Sequence, residues 1–399
     1  MAKSPYYRIV IKDTEQDITD HVTQFSYEDS IEKDDLVILR LDGVTNEFVD
    51  ETKLNKGSEL VFMFGFQNGT ISAKKTCTIK DIETSYQKSI SITVKALDTG
   101  LLLKKLTSNR IWSKKTVSQI AVEIAGIFSM DSQVDATSVI HDAIPQANRT
   151  FFQLLTELAT KEGAGDGNKG SFKFFVKGNK LYFTQRDLSK KSVRTFTYGD
   201  GSGTVKSFKP KYNQKSGESE KVSASGIDVD ILTSWTSSSS SKDSKETGVG
   251  QVKISYDING IVVDSLPETN SGKNIVSDST TEADAKKSVT GKQKDAEMQE
   301  LTATLSIDGD PTIVSDTIIT MSGVSQKHAG NYYVTEVVHS ISKSGFSTEL
   351  KLNKNAALKA PLEMTKDVDK KNKSQGAVNA DSKNDVPVIN YDINGEVQV

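Results

Sequence analysis

The stretch GNYYVTEVVHSISKSGFSTELKL at 330–352 constrains the fold more than any other part of the chain. Two apolar runs flank SKSG, a four-residue connection containing Gly345, which is an ordinary hairpin loop. Folding 333–341 back onto 346–352 sets Ile341 opposite Phe346, His339 opposite Thr348, Val337 opposite Leu350 and Thr335 opposite Leu352. The other face then carries Ser340 with Ser347, Val338 with Glu349, and Glu336 with Lys351, an opposite-charge pair expected to lie in solvent. A slip of one residue would move Phe346, Leu350 and Leu352 onto the polar face, so the register is well specified. His339 therefore points into a core, with the Thr348 hydroxyl as its expected partner.

The first hundred residues have the same β character. Strands are expected at Arg8–Lys12, Leu36–Leu41, Leu60–Phe66, Thr76–Ile82 and Ile90–Leu97, with QNGT at 67–70 as a hairpin signal. In KSISITVKALD, Ile90, Ile92, Val94 and Ala96 alternate with polar residues, the pattern of a sheet buried on one face. In ELVFMFGF both alternating sets are apolar, so that strand is expected to be covered on both sides.

Helical spacing begins near residue 110. Val117, Ile120, Ala121, Ile124, Ile127 and Phe128 recur on one face behind a Thr116–Gln119 capping box. Thr150 and Gln153 cap a second helix with Phe152, Leu155, Leu158 and Ala159 on one face, and Gly163 stops it. SFKFFVK and KLYFTQR follow as strands joined by GN. From 191 the chain returns to β character. It is interrupted by a Ser-rich low-complexity loop at 233–250 and by a charged segment, 281–300, that reads as a helix. The polar segment 356–399 reads as an extended tail. YDING occurs at 256–260 and again at 391–395; it is a hairpin-turn signal in both places.

Nothing in this pattern assembles chemistry. His21, His141 and His328 are scattered, and none stands at metal-ligand spacing with another His or with Cys77. GAGDGNKGS lacks the Gly-Lys-Ser/Thr order of a phosphate loop, and YGDGSGT at 198–204 lacks a dinucleotide fingerprint. SIDGDPT places Asp308 and Asp310 near a turn without the further ligands of a calcium loop. No catalytic, cofactor-binding or metal-binding residue is expected. A net charge of −3, with both signs interspersed, gives no pull towards nucleic acid or an anionic membrane. No stretch approaches the ~18 apolar residues that span a bilayer, and the start lacks the apolar core of a secretory signal. One cysteine in 399 residues admits no internal disulfide, and cytoplasmic folding fits.

The segment LSIDGDPTIVSDTIITMSGVSQKHAGNYYVTEVVHSISKSGFSTELKLNKN resembles the C-terminal part of the phage late control protein D family. Those are tail baseplate hub proteins, similar to the N-terminal hub region of VgrG-type spike proteins. TVSQIAVEIAG, ANRTFFQLLTELATKEG and VKGNKLYF resemble the middle of the same family, and YRIVIK, DITDHVTQFSYEDS and DDLVILRLDG its opening. The resemblance covers about residues 5–355. It implies a mainly β, α+β chain: a tube-like β-barrel domain at 1–105, a small α+β domain at 106–190, a second tube-like barrel at 191–355, and the tail. It also implies a non-enzymatic homotrimer, assembled in the cytoplasm into a virion tail baseplate or contractile injection particle. The tail tube protein, a separate spike protein, other baseplate proteins and a tape-measure protein would be its partners. A cell-wall or carbohydrate-binding β protein is the alternative, and it requires an exposed aromatic platform.

Overall fold

The fold is described from a computed structural model. It describes residues 4–163, 170–212 and 301–354, with short pieces at 222–228, 233–239, 255–256, 262–263, 273–274, 290–291, 294–295, 298–299, 390–391 and 397–398. The described residues are mainly β; besides the short helix Asn46–Glu51, the α-helices Gly100–Lys105, Val117–Ile127 and Phe151–Glu162 follow one another in the middle of the chain.

The long strand Gly330–Ser342 organises the molecule. Its first part, 330–334, pairs antiparallel with Thr317–Ser322, and 336–341 pairs with Val22–Ser30, more than three hundred residues away in sequence. Gly345–Lys354 runs back along most of its length. Through this strand a single 13-stranded sheet passes from Val205–Tyr212, Leu301–Asp308 and Gly345–Lys354 into Val22–Ser30, Leu36–Val44, Ile90–Leu97, Lys75–Tyr86, Glu59–Phe66 and Pro5–Ile11. Two β units thus share one strand.

The expected hairpin register holds from Ile341–Phe346 to Glu336–Lys351. It breaks at Thr335. A bulge between Val334 and Glu336 sets Val334, rather than Thr335, opposite Leu352. The Thr335 carbonyl, released from the ladder, accepts from the Ile31 N–H at 3.1 Å. Bulges bend a strand and re-aim its side chains, which suits the point where this one passes from one unit to the other.

Among the described residues, three large apolar cores lie along the chain. The first includes Ile9, Phe25, Tyr27, Leu39, Phe62, Phe64 and Val94, and it also takes Ile341 and Phe346 from the hairpin tip. The second is built only from residues between Leu103 and Phe183. The third includes Phe196, Leu305, Ile319, Val337, Leu350 and Leu352. A small fourth cluster, Leu188, Met298, Ile318 and Tyr333 with Ile31 against it, sits where the β units meet. ELVFMFGF is less covered than its composition suggests: Leu60, Phe62 and Phe64 are buried, while Val61 and Met63 stay half-buried.

Both capping boxes form in the α+β unit, on helices Val117–Ile127 and Phe151–Glu162. The apolar faces are rotated slightly from the expected ones. Phe151 and Leu154 are buried while Phe152 is half-buried, and Ile127 is exposed. Phe172–Lys177 and Lys180–Gln185 pair through the two-residue loop Gly178–Asn179, with Gly178 at φ +56°. Three strands here carry no clear sequence signal. Asp131–Val134 joins Lys180–Gln185 in parallel, and Ile111–Thr116 pairs with Ile140–Pro145.

Part of the Ser-rich stretch is regular structure rather than loop: Thr233–Ser239 is a strand paired with Val222–Asp228. Thr233, Trp235 and Thr236 carry strand propensity, and the partner strand supplies the hydrogen bonds for the serines among them. The remainder, 240–250, lies outside the described residues, as do most of 281–300 and of the expected tail. Residues 290–291, 294–295 and 298 of the charged segment are helical. Both YDING copies are flanked by the same pairing, Tyr256 with Val262 and Tyr391 with Val397.

Candidate functional site: a polar seam where three units meet

The strand Phe172–Lys177 turns Phe172, Phe174 and Val176 into the second core. Period-two alternation sends Lys173, Phe175 and Lys177 out of its other face. That face meets both β units. The Lys177 ammonium donates to Asp29 Oδ1 at 2.9 Å and to the Ser315 carbonyl at 2.9 Å. Asp29, on the strand Val22–Ser30, is buried, and it also accepts from the Ser315 hydroxyl at 2.6 Å and the Ser315 N–H at 3.3 Å. Lys173 donates to Asp316 and to the Tyr333 hydroxyl, Tyr333 donates to Asp316 at 2.8 Å, and Lys190 stands 3.3 Å from the same carboxylate. Asp316 reaches this position at φ +65°, a left-handed turn residue just before the strand Thr317–Ser322.

Further carboxylates lie behind Asp29. The Tyr27 hydroxyl donates to Asp35 at 2.5 Å, and the Ser30 N–H donates to its other oxygen at 3.1 Å. Asp98 accepts from the N–H groups of Gly100 at 2.9 Å and Asp35 at 3.4 Å. Their protonation follows from burial and mutual repulsion. Burial, then the Asp29 charge, raise Asp35 to about 7. Burial and Asp35 push Asp98 up well above the ordinary carboxylate range. Burial would raise Asp29 as well, but the Lys177 and Lys75 charges outweigh it and hold Asp29 below its usual value. Burial pulls Lys173 down to about 8 despite its Asp316 partner. Asp316 keeps its charge because Lys173, Lys190 and Tyr333 all serve it.

A cleft of about 570 Å³ opens at this seam. Its walls come from all three units: Tyr27, Lys75 and Cys77; Phe175, Lys177 and Tyr182; and Ser315 to Thr317. Phe175 and Tyr182 stack at 4.8 Å, and the Lys75 ammonium lies 4.8 Å above the Tyr27 ring.

This arrangement joins bodies. Every acid in it is engaged by donors on the protein, and the Ser315, Tyr27 and Tyr333 hydroxyls each donate to one of these carboxylates. Among the described residues, no group of three or more His, Cys, Asp or Glu is placed to hold a metal ion. The histidines are apart. His21 lies against the Phe48 ring, His141 stands 3.9 Å from Glu162, and His328 Nδ1 is 3.1 Å from the Ser325 hydroxyl. His339 is buried in the first core between Tyr27, Phe64 and Phe346. Asp308 and Asp310 sit apart in function: Asp310 accepts from the Thr312 N–H at 3.0 Å and shapes the turn, while Asp308 pairs with Lys206 at the surface. Residues 164–169 of the glycine-rich loop lie outside the described residues. Sequence reasoning missed the seam because its partners are remote: Asp29, Lys177 and Ser315 are separated by most of the chain. The one local signal was the Lys-Phe-Phe-Val-Lys alternation, which marks a strand whose second face is charged.

A family model described as the Alg8 N-terminal domain matches residues 28–343. The chain belongs to that family. No curated protein matches the sequence of this Alg8 N-terminal domain family member. Its fold is similar to that of a tail protein from Neisseria meningitidis MC58, with a TM-score of 0.64 and 12% identity over 89% of this chain and 98% of that one. It is also similar to a prophage MuSo2 43 kDa tail protein from Shewanella oneidensis, at a TM-score of 0.66 and 14% identity over 89% and 99% of the two chains. A Francisella PdpA–VgrG complex matches at a TM-score of 0.53 and 11% identity, over 90% of this chain and 54% of that one. The resemblance to hub and VgrG-type proteins drawn from the sequence is thus borne out as a fold. Among the described residues, no helix is long and apolar enough to cross a membrane.

Proposed function

We propose that this chain is a structural hub of a contractile-tail baseplate, in a phage or a phage-like contractile injection particle. In this reading it is a homotrimer that adapts a hexameric tail tube to a trimeric spike, and it breaks no bonds. The observation that carries the reading is end-to-end similarity: tail proteins of two bacteria match over 98% and 99% of their own length. A cell-wall binder would need clustered exposed aromatics. Among the described residues, Tyr86, Tyr198 and Tyr212 are exposed at widely separated points of the sequence, and no observation there favours that alternative.

The domain division at 105, 190 and 355 belongs to the same proposal, with each barrel-like unit contributing one position to a pseudo-sixfold ring. The tube, spike, other baseplate proteins and a tape-measure protein are its partners, and assembly takes place in the cytoplasm. Light scattering on the purified chain, alone and with candidate spike and tube proteins, tests this. A trimer, or a trimer formed on adding spike, is the expected result. A monomer that ignores both overturns the reading.

A further inference from the structure

The contact between Lys177 and Asp29 has the form of a ligand in a socket. The acceptors are built into the β units: Asp29 is 1% exposed, oriented by the Ser315 hydroxyl and N–H, with the Ser315 carbonyl beside it. The donor arrives on a different body. Every residue of the α+β core lies between Leu103 and Phe183, and neither β core contains any of them. The small apolar cluster at the seam draws only Leu188 from the 106–190 segment. The face it brings to the seam is Lys173, Phe175 and Lys177, and the cleft left there is walled by all three units. A unit with a complete core of its own, meeting the seam through ammonium groups and the one apolar side chain Leu188, is seated chiefly by those groups.

We propose that Asp29 and Ser315 form a primary-ammonium socket where the two β units meet, filled in cis by Lys177, and that the α+β unit seats reversibly through it. The ligand class follows from the acceptors: a buried carboxylate and a carbonyl satisfy the N–H donors of a primary ammonium, and when Lys177 withdraws the buried Asp29 charge loses its ion-pair partner at 2.9 Å while keeping only the Ser315 donors.

The chain carries its own reporter. Cys77 is its one cysteine, lines the same cleft, and is 2% exposed. The test measures Cys77 labelling by an aromatic disulfide reagent in the full chain, in Lys177→Ala, and in Lys177→Ala with propylammonium chloride against matched sodium chloride. Hydrogen exchange of helix Phe151–Glu162 is followed in parallel. Labelling is expected to rise at least about tenfold in Lys177→Ala, the scale set by losing one charge-assisted hydrogen bond. Propylammonium should reverse the rise, sodium should not, and helix protection should persist throughout. Unchanged labelling, equal effects of the two salts, or a rise accompanied by loss of helix protection each overturns the proposal.

Discussion

His339 and Thr348 face each other across the hairpin, with the Thr348 hydroxyl 3.1 Å from His339 Nδ1. The Asp310 N–H donates to the same hydroxyl oxygen at 3.0 Å, which leaves the threonine proton for the imidazole. Nδ1 is then the acceptor, and Nε2–H donates to the Ile313 carbonyl at 3.2 Å. The ring is neutral, fully partnered and buried. It fastens the Gly309–Ile313 turn to the shared strand.

Burial lowers His339 to about 4 from an ordinary 6.5. A base depressed in the folded state binds fewer protons there than in the unfolded chain, so its contribution is present above pH 6.5 and is lost as pH falls towards 4. A shift of this size corresponds to about 3 kcal/mol. Replacing His339 with Gln should lower stability at pH 7 and flatten this part of the profile, as read by urea unfolding at pH 4, 5, 6 and 7. A wild-type-like acid slope in His339→Gln would contradict the assignment.

Asp35 works in the opposite sense. Its folded value of about 7 lies above the ordinary 3.8, so the native state binds the extra proton and stability falls as pH rises from about 4 to about 7. The windows of Asp35 and His339 overlap between pH 4 and 6.5, where their slopes offset each other. Asp35→Asn, which keeps hydrogen-bonding capacity without the charge, should therefore steepen the loss of stability on acidification. Parallel profiles of the variant and wild type between pH 4 and 7 would rule this out.

Glu336 was expected on a solvated face and is buried instead, at 5% exposure. Its carboxylate meets Lys351 at 2.5 Å and Lys33 at 3.0 Å. Both lysines are about half exposed, so the three positions should differ sharply. Lys351→Ala should cost less than about 1 kcal/mol, because Lys33 still serves the acid and an exposed lysine loses little. Glu336→Ala removes the charged centre of the triad and should cost about 1–3 kcal/mol. Equal losses in thermal unfolding would mean that burial does not matter here.

What could be read in advance follows one rule: local periodicity reports local faces. It placed His339 in a core, aligned Ile341 with Phe346, and set both helix caps, because each depends on residues a few positions apart. It failed wherever a distant element decided the outcome. Glu336 is buried because Val22–Ser30 pairs along the far side of its strand and brings Lys33 with it. Thr335 leaves the ladder because Ile31 takes its carbonyl. Asp131–Val134 is a strand only because Lys180–Gln185 offers it an edge, its own side chains being mostly exposed. The seam combines all three kinds of distance, so no motif announces it.

The SIDGDPT turn supplies a last test of how tightly the hairpin tip is held. Gly309 lies directly beneath the Phe346 ring, and a Cβ there would overlap the ring's own carbons. Its N–H donates to the Phe346 carbonyl at 3.0 Å, so the backbone cannot back away without losing that bond. Phe346 in turn packs on Phe64 and Phe66 in the first core and has no free direction in which to swing. Gly309→Ala should therefore destabilise by about 1–3 kcal/mol, the range for overpacking a filled site. Phe346→Ala alone should cost about 3–5 kcal/mol from the cavity it leaves. Combined, the two changes should cost clearly less than their sum, because the alanine methyl then occupies space the ring has vacated. Denaturant unfolding of the four proteins checks this, and strict additivity would show that the glycine is there for some reason other than the ring above it.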